Sequence, residues 1–255
     1  MNAITPRGLE INTAAARPLD AIRVSRNLLL TTRVASFATL DPGGFPYNTA
    51  TNLAVEADGT PVFFTAYLAL HARNIEADPR TSITLADHDS DVMTKPRLTL
   101  SGVLERVTGP DFEALKETYA ERFPKSKLYL SLPDTLLYRL RTQAVQLNGG
   151  PAQNANKVVA QDLVTDLSGA GELMAAAPAL VADLNAQGAA AGLARAAGAD
   201  PAARWRVSTI DPEGINLSAP QGLARLWFAN RATNPQEFAA EVAAGLTVSV
   251  QGAPA

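Results

Sequence analysis

The first 150 residues alternate apolar and polar positions in short runs, the period-two pattern of half-buried strands. Such runs occupy residues 34–40, 47–55, 62–65, 81–85 and 97–107, and turn sequences separate them, Asp41-Pro42-Gly43-Gly44 and Asp58-Gly59 among them. Consecutive hairpins of this kind predict an antiparallel meander that closes on itself. Helical spacing interrupts it in a few places. Leu19, Ile22, Leu29 and Leu30 recur on one face with Arg23 and Arg26 between them, and residues 69–80 form a short basic helix between two strands. Gly109-Pro110 opens an amphipathic helix with Phe112, Leu115, Tyr119 and Phe123 inward, which Pro124 stops. Residues 132–140 are predicted as another short helix and residues 144–147 as a last strand before Asn148-Gly149-Gly150.

Beyond a Gln- and Asn-bearing linker the pattern changes. Residues 171–203 are rich in alanine and carry two helical patterns separated near Gly188. Residues 204–210, 215–217 and 222–228 then predict a three-stranded meander, and Asn234-Pro235 starts a closing helix with Phe238 and Val242 inward. The expected organisation is α+β, with an antiparallel split β-barrel over residues 1–150, a linker at 151–157, and a small α+β domain at 158–255.

Composition narrows the chemistry. A hydrophobic share of 47% against 18% charged residues supports a folded core, and a net charge of -3 offers no broad field for nucleic acid or a membrane surface. Cysteine is absent, which removes disulfides, thiolate catalysis and thiolate metal sites. Two histidines, His71 and His88, are too few for a conventional zinc site, so no metal ligands are assigned. No serine stands in a recognisable nucleophile turn, and neither a dinucleotide glycine fingerprint nor a P-loop occurs. No catalytic residue can be named. Residues 1–20 contain no apolar stretch suited to a signal peptide or a membrane span, so a cytoplasmic location is expected. His71 and Arg73 open a helix whose N–H groups already favour an anion, which makes them candidates for a phosphate cradle.

The strand at 62–65, the basic helix at 69–80 ending in Asp78-Pro79-Arg80, and the Arg97-led strand broken at Gly102 together resemble the FMN-binding split barrel of the pyridoxamine phosphate oxidase type. Residues 92–102, Tyr119 to Ser126 and Asn148-Gly149-Gly150, followed by Ile210 to Leu217 and Arg225 to Phe228, narrow the resemblance to the haem-utilization family of split-barrel proteins. That resemblance implies a homodimer with a flavin or tetrapyrrole at the subunit interface. It implies that His71 stands where a basic residue, usually lysine, contacts the FMN phosphate, with Arg73 nearby and Arg97 at the phosphate end or ring edge. It also implies that Thr49, Thr51 and Asn52 line the isoalloxazine ring, with Thr65 on the neighbouring strand.

Three functions are consistent with it: an FMN-dependent oxidoreductase of unknown substrate, a haem-binding or haem-degrading protein, and a non-catalytic regulatory binding module. The chain departs from the family in two places. The C-terminal module usually carries a histidine after an Asn-x-Asp pattern, where this chain reads Asn185-Ala186-Gln187-Gly188. Pro151 and Ala152 follow Gly149-Gly150 where an aromatic residue and a glycine are usual. Without that histidine, a haem iron would have to draw its axial ligand from residues such as His71, His88 or Met174.

Overall fold

A computed structural model describes residues 19–86, 91–150 and 158–251, and the chain divides into two compact units, Met1–Val164 and Thr165–Ala255. The predicted linker at 151–157 and His88 lie outside the described residues. Among the described residues no helix is long and apolar enough to cross a membrane.

The first unit is a curled antiparallel sheet of seven strands in the order β2-β1-β5-β6-β7-β4-β3. The strands are β1 (Val34–Leu40), β2 (Pro46–Asn52), β3 (Ala54–Val55), β4 (Pro61–Ala66), β5 (Arg80–Ala86), β6 (Arg97–Arg106) and β7 (Thr135–Asn148). Helices α1 (Ala21–Thr31), α2 (Leu70–Ala77), α3 (Pro110–Arg122) and α4 (Lys127–Leu130) complete it. Curling brings β2 towards β4, although the two exchange no ladder hydrogen bonds. This is a split barrel.

Alternation read correctly as strand in β1, β5 and β6, where every second residue is buried. The run at 47–55 is not one strand. It breaks at Leu53, whose amide donates to the Arg33 carbonyl at 3.1 Å and whose side chain is fully buried. The predicted helix at 132–140 is a larger correction. Those residues lead into a 14-residue strand, β7, paired with β4 through Thr65↔Leu136 and with β6 through Leu104↔Leu140. A strand with partners on both edges and cover on both faces reads as a near-continuous apolar run, which periodicity cannot separate from a buried helix. Leu136, Leu137, Tyr138 and Leu140 are all buried.

Two devices fix this unit. Arg122 is enclosed at the C-terminal end of α1, where it donates to the carbonyls of Leu30 (2.8 Å) and Thr32 (3.3 Å). Burial pulls its pKa down to about 10, which still leaves it charged at neutral pH against the negative end of the helix. Arg139 on β7 clamps the β3–β4 turn, gripping Glu56 with two hydrogen bonds (2.6 and 2.9 Å) and Asp111 with a third at 2.9 Å. Asp20 caps α1 by accepting from the Arg23 amide at 3.0 Å.

In the second unit, α5 (Gly171–Ala186), α6 (Ala190–Ala196) and α7 (Pro235–Gln251) accompany a sheet of order β10-β9-β8, formed by β8 (Arg206–Asp211), β9 (Gly214–Ala219) and β10 (Gly222–Trp227). Leu173, Leu193, Val207, Ile215, Leu217 and Phe238 form its core. Arg225 and Asp211 make a fully buried bidentate pair at 2.5 and 2.7 Å, with the guanidinium 4.5 Å from the Trp227 ring. Asn185 fastens α5 to β8, donating to the Val207 carbonyl and accepting from its amide, both at 2.9 Å. The helix ends at Gly188, which adopts φ 70°, the left-handed conformation of a C-terminal cap.

Register in β6 shifts between Ser101 and Gly102, where β7 carries an extra residue. A Cβ on Gly102 would lie 2.0 Å from the Arg141 carbonyl oxygen. The glycine is required by close backbone approach inside a bulge. We expect Gly102→Ala to cost about 1–3 kcal/mol or more by overpacking, measured as a lower midpoint of urea unfolding; an unchanged midpoint would show that β7 can move aside.

Candidate functional site

The site forms where β4 turns into α2. The Ala69 amide donates to the Ala66 carbonyl at 3.0 Å, closing a tight turn that starts the helix directly after the strand. Helix α2 turns Ala72, Asn74 and Ile75 inward. The Asn74 side-chain amide donates to Thr39 Oγ1 at 3.0 Å, which docks the helix on β1. His71 is thereby half-buried, its ring edge-on to Phe37 at 5.9 Å and 89°. Phe37 in turn stacks on Phe63 with centroids 5.0 Å apart. Across the turn, Thr65 Oγ1 lies 2.6 Å from His71 Nε2. Burial pushes the His71 pKa below its ordinary value, which favours the neutral imidazole.

A cavity of about 490 Å³ opens beside this ring. One wall comes from Val34 on β1 and Ala50, Thr51 and Asn52 on β2, and the facing wall from Phe64, Thr65 and Ala66 on β4 with Ala69 and His71. Tyr119 of α3 closes one side; its hydroxyl donates to the Asn52 carbonyl at 3.2 Å, and its ring packs between Phe64 and Phe123 at 5.9 and 5.2 Å. A smaller cavity of about 350 Å³ has Leu29, Leu100 and Leu140 in its lining, with Arg139 and Arg141 beside them. Its guanidinium groups are already engaged by Glu56, Asp111 and Glu105.

Of the residues nominated from sequence, the larger cavity brings together Thr51, Asn52, Thr65 and His71. Thr49, Arg73 and Arg97 lie outside its lining. Thr49 is paired with Phe37 further along β2, Arg73 is exposed on α2, and Arg97 donates to the Val92 carbonyl at 2.8 Å. No arginine or lysine lines the cavity among the described residues, so the cradle of one imidazole and two guanidinium groups is not assembled there. Sequence reasoning missed Val34, Ala66, Ala69 and Tyr119 as wall residues, whereas Ala50 stands in the stretch that the family resemblance already pointed to. Tyr119 alone carried a signal, because a tyrosine on the inward face of a helix must find a partner for its hydroxyl.

Residues 17–156, more than half of the chain, match the CREG β-barrel family. The structure of protein Atu2129 from Agrobacterium tumefaciens, of unknown function, is 50% identical and superposes with a TM-score of 0.84, covering 96% of this chain and 99% of that one. A haem-binding protein from Mycobacterium smegmatis shares the fold at 24% identity and a TM-score of 0.53, covering 93% and 100% of the two chains. A curated relative, the chloroplastic non-canonical haem oxygenase HOZ of Arabidopsis thaliana, is 27% identical over 143 residues, 56% of this chain and 44% of the relative. The chain therefore spans less than half the length of that protein.

Neutral burial of His71 has a consequence for stability. Because the folded-state pKa is depressed, the unfolded chain binds the proton first as pH falls below about 6.5, and stability present above that value is lost on acidification. Urea unfolding at pH 8 and pH 5.5 should show a smaller acid-induced loss in His71→Gln than in the wild type. Equal losses would mean that the ring titrates as freely folded as unfolded.

Proposed function

Because the chain belongs to the CREG β-barrel family and its barrel holds a neutral imidazole in an open cavity, we propose that it binds haem or a closely related tetrapyrrole beside His71. The observation that carries this reading is the pairing of His71 with a lining that has no cationic side chain. A flavin mononucleotide presents a phosphate dianion, which is best held by arginine, lysine or a charged imidazole. A neutral imidazole is instead suited to an iron centre, histidine being a common axial ligand of haem. The haem oxygenase named among the relatives supports the same ligand class.

The chain's own groups fit a flat, largely apolar ligand. Val34, Ala50, Phe64, Ala66 and Ala69 give it apolar walls with little side-chain bulk apart from the phenyl ring. The Thr51 hydroxyl and the Asn52 amide supply polar contacts for carboxylate substituents, and Tyr119 holds the Asn52 backbone in place. When bound, haem would contribute a redox-active iron; the protein would contribute the imidazole, the exclusion of water and the orientation of the ring. Tyr67, Leu68 and Leu70, interleaved with the wall residues Ala66, Ala69 and His71, are exposed at 49%, 69% and 52%. We read them as covered by a second copy of the chain, which would complete the cavity's open side as a homodimer.

Titration of the purified protein with haemin should produce a Soret band that His71→Ala abolishes or shifts and His88→Ala leaves in place, while FMN added to the same protein keeps its fluorescence. A wild type that gives no bound-haem spectrum, or one that quenches FMN stoichiometrically, would overturn the proposal.

A further inference from the structure

Thr65 has one hydroxyl proton and two neighbours in reach of its oxygen. The oxygen lies 2.6 Å from His71 Nε2 and donates to the Ala66 carbonyl at 3.3 Å. Both contacts can exist at once in only one arrangement: the hydroxyl proton goes to the Ala66 carbonyl, so the imidazole must supply the proton between Nε2 and Oγ1. With the alternative tautomer the hydroxyl would turn towards Nε2 and the carbonyl contact would be lost. Phe37 holds the ring edge-on, so the imidazole cannot rotate away without giving up that packing.

The other ring nitrogen has a different environment. Among the described residues Nδ1 has no hydrogen-bond partner, and it is absent from the polar atoms that are sealed off without one. His71 itself lines the cavity. A neutral imidazole that donates from Nε2 carries its lone pair on Nδ1, the accessible atom.

We infer that Thr65 is a positioning residue which fixes His71 as the Nε2–H tautomer and leaves the Nδ1 lone pair open to the cavity, as the atom that takes a metal centre carried by the ligand. The inference rests on the haem reading for the identity of that centre. The chain His71 Nε2–H to Thr65 Oγ1–H to Ala66 carbonyl does what an outer-shell partner does for a ligating histidine: it orients the ring and raises the basicity of the free nitrogen. Thr65 is also part of the cavity wall, and in this role its hydroxyl contacts the ring of His71. It acts through the imidazole.

The apoprotein tests the tautomer without any ligand. In protein labelled with ¹⁵N-histidine, long-range ¹H–¹⁵N spectra of the wild type should show His71 protonated at Nε2, with that proton protected from solvent exchange, and unprotonated at Nδ1. Thr65→Val, which keeps the side-chain shape, should lose the protection, and Thr65→Ser should restore it. Haemin titration should follow the same order, with Kd raised on the order of tenfold in Thr65→Val and close to wild type in Thr65→Ser. A wild-type His71 protonated at Nδ1 would overturn the inference even if the valine variant failed to fold. So would a Thr65→Val protein that folds by circular dichroism and binds haemin as the wild type does. These failures are separable from failure of the haem reading, which would appear in the wild type itself as no bound-haem spectrum, or as haemin binding that His71→Ala leaves unchanged, while the tautomer is read in the apoprotein.

Discussion

Strand β7 is the member on which the first unit depends. It lends one edge to β6 and the other to β4, so the chain's two sides of the barrel are joined through it. Its Leu136 stands opposite Thr65, and its Arg139 grips the turn that leads into β4. The position of Thr65, and hence of the imidazole beyond it, is set by a ladder that neither residue belongs to alone. Because the other ladder of β7, with β6, shifts register at the Gly102 bulge, one missing Cβ is part of the same constraint.

The chemistry of the cavity follows from burial more than from residue type. A histidine at the start of a helix in bulk water would be partly charged near neutral pH and could join a phosphate cradle. Packed against Phe37 and facing Thr65, the same residue is biased towards its neutral form, while Arg73 is exposed on α2 and Arg97 donates to the Val92 carbonyl. Neutrality favours an iron-bearing ligand over a phosphorylated one. On the proposed reading, solvent access to a single ring would bear on the choice between two cofactors of one fold.

Much of the architecture was legible in the chain. Alternation marked β1, β5 and β6, Gly109-Pro110 marked α3, and Asn234-Pro235 marked α7, because caps and period-two burial are local properties. The doubly paired β7 was not legible, since its apolar run at Leu136, Leu137 and Leu140 suits a buried helix equally well. Of the site, His71, Thr65, Thr51 and Asn52 could be nominated, through resemblance to a family whose barrel order they share. Arg73 and Arg97 were nominated on the same grounds, yet the direction of a side chain from its element is decided by tertiary packing. Walls contributed by Val34 and Tyr119 come from distant stretches that only the closed sheet brings together.

The backbone at Gly188 limits which side chains the second unit can carry there. The family resemblance leads one to expect a histidine near this point, where this chain has a left-handed glycine closing α5. Any L-amino acid with a Cβ is strained in that conformation. A histidine placed at Gly188 would therefore unsettle the helix end that Asn185 pins to β8, so an imidazole at this point would need the turn to be rebuilt as well.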